Sequence, residues 1–189
     1  FKRLHLNHAY GQLIALIFVP IMVLACVGTM LVLSETSNAA KAQQRQMAIA
    51  ILTRFELPSE AALHQLASFP WKYEEARTFM QNMMNEKHLI RTALIDASGT
   101  RRLSMGFQDQ AEWPKFPKNA DFFGPILYKN NHVYGMQIQQ DINRPAWLLI
   151  ELDNQPLQIA RYRVMIVLIA TGLLTLLLLL LCLNFYSRR

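Results

Sequence analysis

Two uninterrupted apolar runs, Leu13 to Leu33 and Val164 to Leu183, bracket a stretch where apolar residues recur first at helical and then at strand spacing. The runs hold 21 and 20 residues and no charge. Each therefore predicts a helix about 30 Å long, one hydrocarbon thickness. The residues between them, 34–163, number 130, enough for one compact domain.

Helices come first in that middle stretch. From Ser34 to Glu56 the apolar positions Ala40, Met47, Ile51 and Phe55 recur at helical spacing among Gln, Lys and Arg, which predicts an amphipathic stem continuing the first run. Pro58 is expected to break it, with Ser59 capping a short helix to Leu66, and Phe69-Pro70 to break the chain again. A third helix is predicted from Trp71 to Lys87, with Ala76, Phe79, Met80, Met83 and Met84 on one side. Core packing accounts for that methionine stripe better than an adaptable binding surface.

Strands follow. Leu89–Ile95 and Arg101–Phe107 flank the turn residues Asp96-Ala97-Ser98-Gly99 and predict a hairpin. Three more strands are expected at 122–128, 132–140 and 146–153, with turns at Lys129-Asn130-Asn131 and Asn143-Arg144-Pro145. The expected core includes Leu94, Leu103, Met105, Ile138, Leu148 and Ile150. Residues 154–163 then form a short helix into the second run.

Charge changes the picture little. The chain has 19 Lys and Arg against 13 Asp and Glu, a net +6. Lys2, Arg3, Arg188 and Arg189 lie outside residues 34–163, where 15 basic residues face all 13 acidic ones, so the middle domain is close to neutral at +2. No basic stripe with interleaved aromatics appears, which argues against a nucleic-acid partner. The counts flanking the two runs are tied, at Lys2, Arg3, Arg188 and Arg189 against Lys41, Arg45, Arg161 and Arg163. Long loops translocate largely regardless of charge, so the expected topology puts residues 1–12 and 184–189 in the cytoplasm, 13–33 and 164–183 in the membrane, and 34–163 outside.

A cleaved signal peptide is disfavoured, because a secretory apolar region is about 7–15 residues long, although Ala40-Lys41-Ala42 has the small-x-small pattern of a cleavage site. The absence of an initial Met and the basic pair after the second run lead us to expect a piece of a longer protein that continues beyond Arg189. Both cysteines, Cys26 and Cys182, fall inside the apolar runs, so the middle domain is expected to fold without disulfides. His64, His88 and His132 lack metal-ligand spacing, and no metal site is expected.

A stem helix, short helices and then about five antiparallel strands match the order of an extracytoplasmic PAS-like (Cache) sensor domain. The expected fold class is therefore α+β, two transmembrane helices flanking one such domain. Phe18-Val19-Pro20 in the first run, the Gln- and Ala-rich stem, the hairpin Leu94 to Gly99, and the closing strand Trp147 to Leu152 followed by Arg161-Tyr162-Arg163 resemble the input region of GacS/BarA-type hybrid sensor histidine kinases. The resemblance covers most of the chain in layout and short stretches in identity. It implies an inner-membrane, homodimeric, multi-pass input module with residues 34–163 in the periplasm. It also implies a parent kinase that uses ATP and magnesium and passes phosphoryl groups to a response regulator. No Gly-rich nucleotide loop or phosphoacceptor motif stands in this chain, which carries no catalytic residue or cofactor site of its own.

Cache-like sensors of small carboxylates use cationic side chains from the sheet. The resemblance thus makes His88, Arg91, Arg101, Arg102, His132 and Tyr134 ligand candidates, with Trp147 as an apolar wall. For each, a structural role or a solvated position is the competing reading, with Arg91 on a sheet edge. Pro20, Arg161 and Arg163 are candidates for signal transmission, and Thr171 with Thr175 for helix contact in a dimer. A periplasmic protein partner is the other reading of the stimulus. The same layout also serves chemoreceptors, diguanylate cyclases and two-span inner-membrane scaffolds. The residues that follow Arg189 in the gene discriminate among them.

Overall fold

The computed structural model describes residues 2–68, 73–108, 110–117, 120–141 and 144–187. Its order is α1 (Lys2–Ser68), α2 (Tyr73–Met84), β1 (Leu89–Ile95), β2 (Arg101–Gly106), β3 (Phe122–Tyr128), β4 (Asn131–Asp141), β5 (Arg144–Leu152) and α3 (Gln155–Ser187). The architecture is α+β, with one five-stranded antiparallel sheet in the order β2-β1-β5-β4-β3. Two compact units divide the chain, Phe1–Ala40 with Leu157–Arg189, and Lys41–Pro156.

The first unit holds the apolar parts of α1 and α3, both long and apolar enough to cross a membrane by length and composition. Their side chains are exposed on all described sides, Leu24 at 71%, Met30 at 74%, Ile166 at 65% and Leu173 at 63%.

In the second unit, helices cover one face of the sheet. Ala48, Ile51, Leu52, Ala62 and Leu63 of α1 and Ala76, Met80 and Met83 of α2 are buried against Leu94, Leu103, Tyr134, Ile138, Leu148 and Ile150 of the strands. Alternation along β5 explains this, since Ala146, Leu148, Ile150 and Leu152 share the helix-facing side while Trp147, Leu149 and Glu151 take the other. The methionines are core residues, and Met105 is a partly buried neighbour of that core.

Three local expectations are corrected. Pro58 does not break α1, and Ser59 does not cap a new helix. Its hydroxyl donates instead to the Phe55 carbonyl at 2.6 Å within the same helix. The inward-facing positions 48, 51, 52, 55, 59, 62 and 63, all apolar but Ser59, stay in phase across Pro58, and burial of that stripe outweighs the roughly 3 kcal/mol that an interior proline costs. Arg144 and Pro145 are strand rather than turn, paired with Asp141 and Gln139. Residues 154–163 are likewise no separate helix, since α3 runs unbroken from Gln155. The expected break at Phe69-Pro70, the start of the third helix at Trp71 and the turn residue Asn143 lie outside the described residues.

The first hairpin is built as its residues require. Asp96 Oδ1 accepts the backbone N–H groups of Ser98 and Thr100, both at 2.9 Å, and Gly99 takes φ 84°. Burial alone would raise the Asp96 carboxyl, but bonds from Ser98, Thr100 and Arg102 outweigh it and hold the pKa below the usual range.

Candidate functional site

On the face of the sheet away from the helices, Trp113 and Phe116 of residues 110–117, a strap with neither helix nor strand, pack on Ile95, Phe123, Val133, Trp147 and Leu149. Its anchor is a charge pair that the strand register creates. Arg91 on β1 and Glu151 on β5 are direct cross-strand partners, and Arg91 Nε donates to Glu151 Oε2. The two side chains are 2% and 5% exposed. Asn131 Nδ2 donates to the other carboxylate oxygen at 2.7 Å. The guanidinium then reaches the strap, donating to the carbonyls of Ala111 at 3.0 Å and Glu112 at 3.4 Å. Its carbon lies 4.1 Å from the Trp113 ring centroid and 5.2 Å from that of Tyr128. The edge position considered for Arg91 is thereby corrected, because β1 lies between β2 and β5.

Beside this clamp, Phe116 of the strap stacks on Phe123 at 5.0 Å and meets Trp147 edge-on at 5.3 Å. Trp147 is 4% exposed, so it is a core ring rather than an open wall. Between the strap and the β1–β2 turn lies an open cleft of about 670 Å³, bordered by Ile95, Arg101, Glu112, Trp113, Lys115 and Phe116. A smaller hollow on the same edge touches Arg101, Arg102 and Ser104. Arg102 pairs with Asp96, and Arg101 Nη1 donates to the Ala111 carbonyl at 3.3 Å.

On the helix-facing side, His132 and Tyr134 meet α1 at Gln44. The Gln44 amide oxygen accepts from His132 Nδ1 at 2.6 Å and from the Tyr134 hydroxyl at 3.3 Å, while its nitrogen donates to the Asp153 carbonyl at 3.1 Å. One glutamine thus ties the stem to β4 and to the residue that follows β5. Burial, opposed by Arg45, pushes the Tyr134 hydroxyl up to about 12. Burial and then the Lys41 ammonium hold the His132 pKa below its usual value.

A pH dependence follows from His132. Its folded pKa lies below the unfolded value of about 6.5, so between the two the unfolded chain binds more protons. The corresponding stability is complete above about pH 6.5 and is lost as pH falls through the lower folded value. Denaturant melts of the full chain from pH 8 to 5 should show this decline, and His132→Gln should remove it. A decline that persists unchanged in the variant refutes the assignment.

The predicted residues therefore fall into separate groups. Arg91 and Arg101 converge on the Ala111 carbonyl of the strap, on the side where Trp147 also lies, Arg102 stands at the β1–β2 turn with Asp96, and His132 and Tyr134 lie on the helix side. His88, exposed with φ 67°, offers its carbonyl to Asp153 N–H at 2.9 Å, at the opposite end of β1 from the turn. Pro20 lies within α1, and Arg161 and Arg163 are exposed on α3. Among the described residues no three His, Cys, Asp or Glu side chains come together as a metal site.

Residues not singled out in advance include Glu151, Gln44, Trp113, Lys115 and Phe116. Glu151 carried a readable signal, since it is the one charge in the apolar run 146–152, as Arg91 is the one charge in β1, and buried charges need each other. The aromatic and proline residues of 113–117 were a second signal, unusual in a solvated loop. No protein-family model, curated protein or solved structure matches this chain.

Proposed function

We propose that this chain is the membrane-embedded input module of a two-component hybrid histidine kinase, with a periplasmic PAS-like (Cache) domain between two inner-membrane helices. The carrying observation is the exposure of the apolar stretches of α1 and α3, which flank a charged, well-packed α+β unit. Such surface is untenable in water and ordinary in lipid. The hydroxyls within those stretches fit the same solvent. Thr29, Thr171 and Thr175 donate to carbonyls one turn back, so no hydroxyl proton is left to hydrocarbon.

In this reading the strap, sheet and stem have two packings, and a stimulus that prefers one of them biases the other end of the module. Gln44 is placed for such coupling, because it holds α1 to the residue after β5. A homodimer and a cytoplasmic response regulator belong to the proposal through the resemblance described above.

Reporter fusions test it. Alkaline phosphatase fused after Asn130 should be active and a fluorescent protein at the same site dark. The reverse pattern overturns the topology and with it the module. The codons following Arg189 separate the kinase from the other two-span receptors. A His-bearing dimerisation helix supports the proposal, and a methyl-accepting coiled coil or an early stop rejects it.

A further inference from the structure

We propose that Gln44 is a proton-sensitive latch, which holds the first two turns of the stem, residues 41–47, to the sheet near neutral pH and releases them in mild acid. The release belongs to the unit Lys41–Pro156 by itself, and only its use as the module's signal rests on the sensory reading above.

Packing makes this end of the stem separable. Deep burial along the stem starts at Ala48, and within residues 41–47 only Gln44 and Met47 are partly buried. The hold on those two turns is therefore mainly Gln44, through its bonds to His132, Tyr134 and the Asp153 carbonyl. Further along, Ile51, Leu52 and Leu63 keep the helix seated, and Glu60 Oε1 accepts the Gln139 N–H at 3.0 Å. One end can open while the rest stays in place.

The latch stands in positive charge. Gln44 spends its nitrogen on Asp153, so its oxygen faces His132, and Nδ1 carries the hydrogen of the neutral ring. Acid then adds a proton at Nε2, which keeps the bond but makes His132 a third cation near Lys41 and Arg45, the residues flanking Gln44 on α1. Nothing on the packed elements balances it. The cross-strand partners of His132 are Leu127 and Leu152, Tyr134 keeps its proton, Arg45 lies over the Phe122 ring, and the Asp153 carboxylate accepts the Gln155 N–H at 2.8 Å. Separation of the stem hydrates the imidazole and takes Lys41 away from it. The proton thus binds the released form better, and the population moves toward that form below about pH 6.5.

The test uses the full chain in lipid nanodiscs with Cys26 and Cys182 replaced by serine, spin-labelled at Gln43→Cys and Asn130→Cys and diluted with unlabelled chain. Both labelled positions are exposed. Double electron-electron resonance should give one short distance at pH 8 and a growing second, longer one toward pH 5. His132→Gln should keep the short distance throughout, and Gln44→Ala should show the longer one already at pH 8. A distance that ignores pH overturns the latch, as does a change that His132→Gln leaves intact or a stem still seated in Gln44→Ala. The control pair Ala97→Cys and Asn130→Cys, in two turns of the sheet, should hold one distance from pH 8 to 5. If it spreads with the first, the whole unit is unfolding and the latch is rejected. Should the latch fail while the Asn130 fusions read as extracytoplasmic, the module stands without it. A cytoplasmic reading rejects the module, and the distances still decide the latch.

Discussion

Arg91→Ala should lower the unfolding free energy of the unit Lys41–Pro156 by about 3–5 kcal/mol, the cost of leaving a buried carboxylate without its cation. The burial is deep, with Arg91 and Glu151 at 2% and 5% exposure. The substitution also removes the donors to Ala111 and Glu112 and the cation over Trp113, so the strap loses its anchor along with the sheet. Denaturant titration of the full chain, followed by tryptophan fluorescence, reads both effects, because Trp113 and Trp147 lie on opposite sides of the strap contact. Emission should shift to the red before the main transition. Replacing the pair together, Arg91→Met with Glu151→Leu, should cost less than Arg91→Ala alone, since no charge is then stranded. A loss under about 1 kcal/mol for Arg91→Ala would mean the pair is hydrated, and the clamp would be wrong.

Leu148→Ala is expected to cost about 2–5 kcal/mol. Leu148 is fully buried on β5, opposite Leu94 on β1 and Met136 on β4, in the cluster that receives α1 and α2. Truncation there opens a cavity that neither neighbouring strand can close without breaking its own ladder. Leu127 on the edge strand β3 is the matched control. It is 66% exposed, and Leu127→Ala should stay within about 0.5 kcal/mol. Equal effects at the two positions would contradict the assignment of faces.

Both predictions depend on register, and register was only partly legible. The hairpin of β1 and β2 was readable because Asp96 to Gly99 are turn residues between alternating runs, and five of the six core positions expected in the strands are buried. Which strand lies beside which was not. The pairing of β1 with β5 joins residues about 60 positions apart, and no local pattern encodes it. That pairing is what makes a clamp of Arg91 and Glu151. The candidate site was legible to the same extent. Arg101 was readable as a cation beside a turn, but Trp113, Lys115 and Phe116 sit in a strap without periodicity. Gln44 looked like any polar residue of an amphipathic helix until β4 placed His132 and Tyr134 against it.

The sequence by itself determined the succession of helices and then strands, the two apolar runs and the packed side of α2, because these follow from residue spacing of 3.6 and 2 and from the run of uncharged side chains. Tertiary structure alone decided the continuity of α1 through Pro58, the neighbours of each strand and the clamp that seats the strap. Those outcomes are energies of contact between distant residues. Burial of a stripe in phase on both sides of Pro58 exceeds the local cost of the proline, and two buried charges are tolerated only because the register sets them face to face.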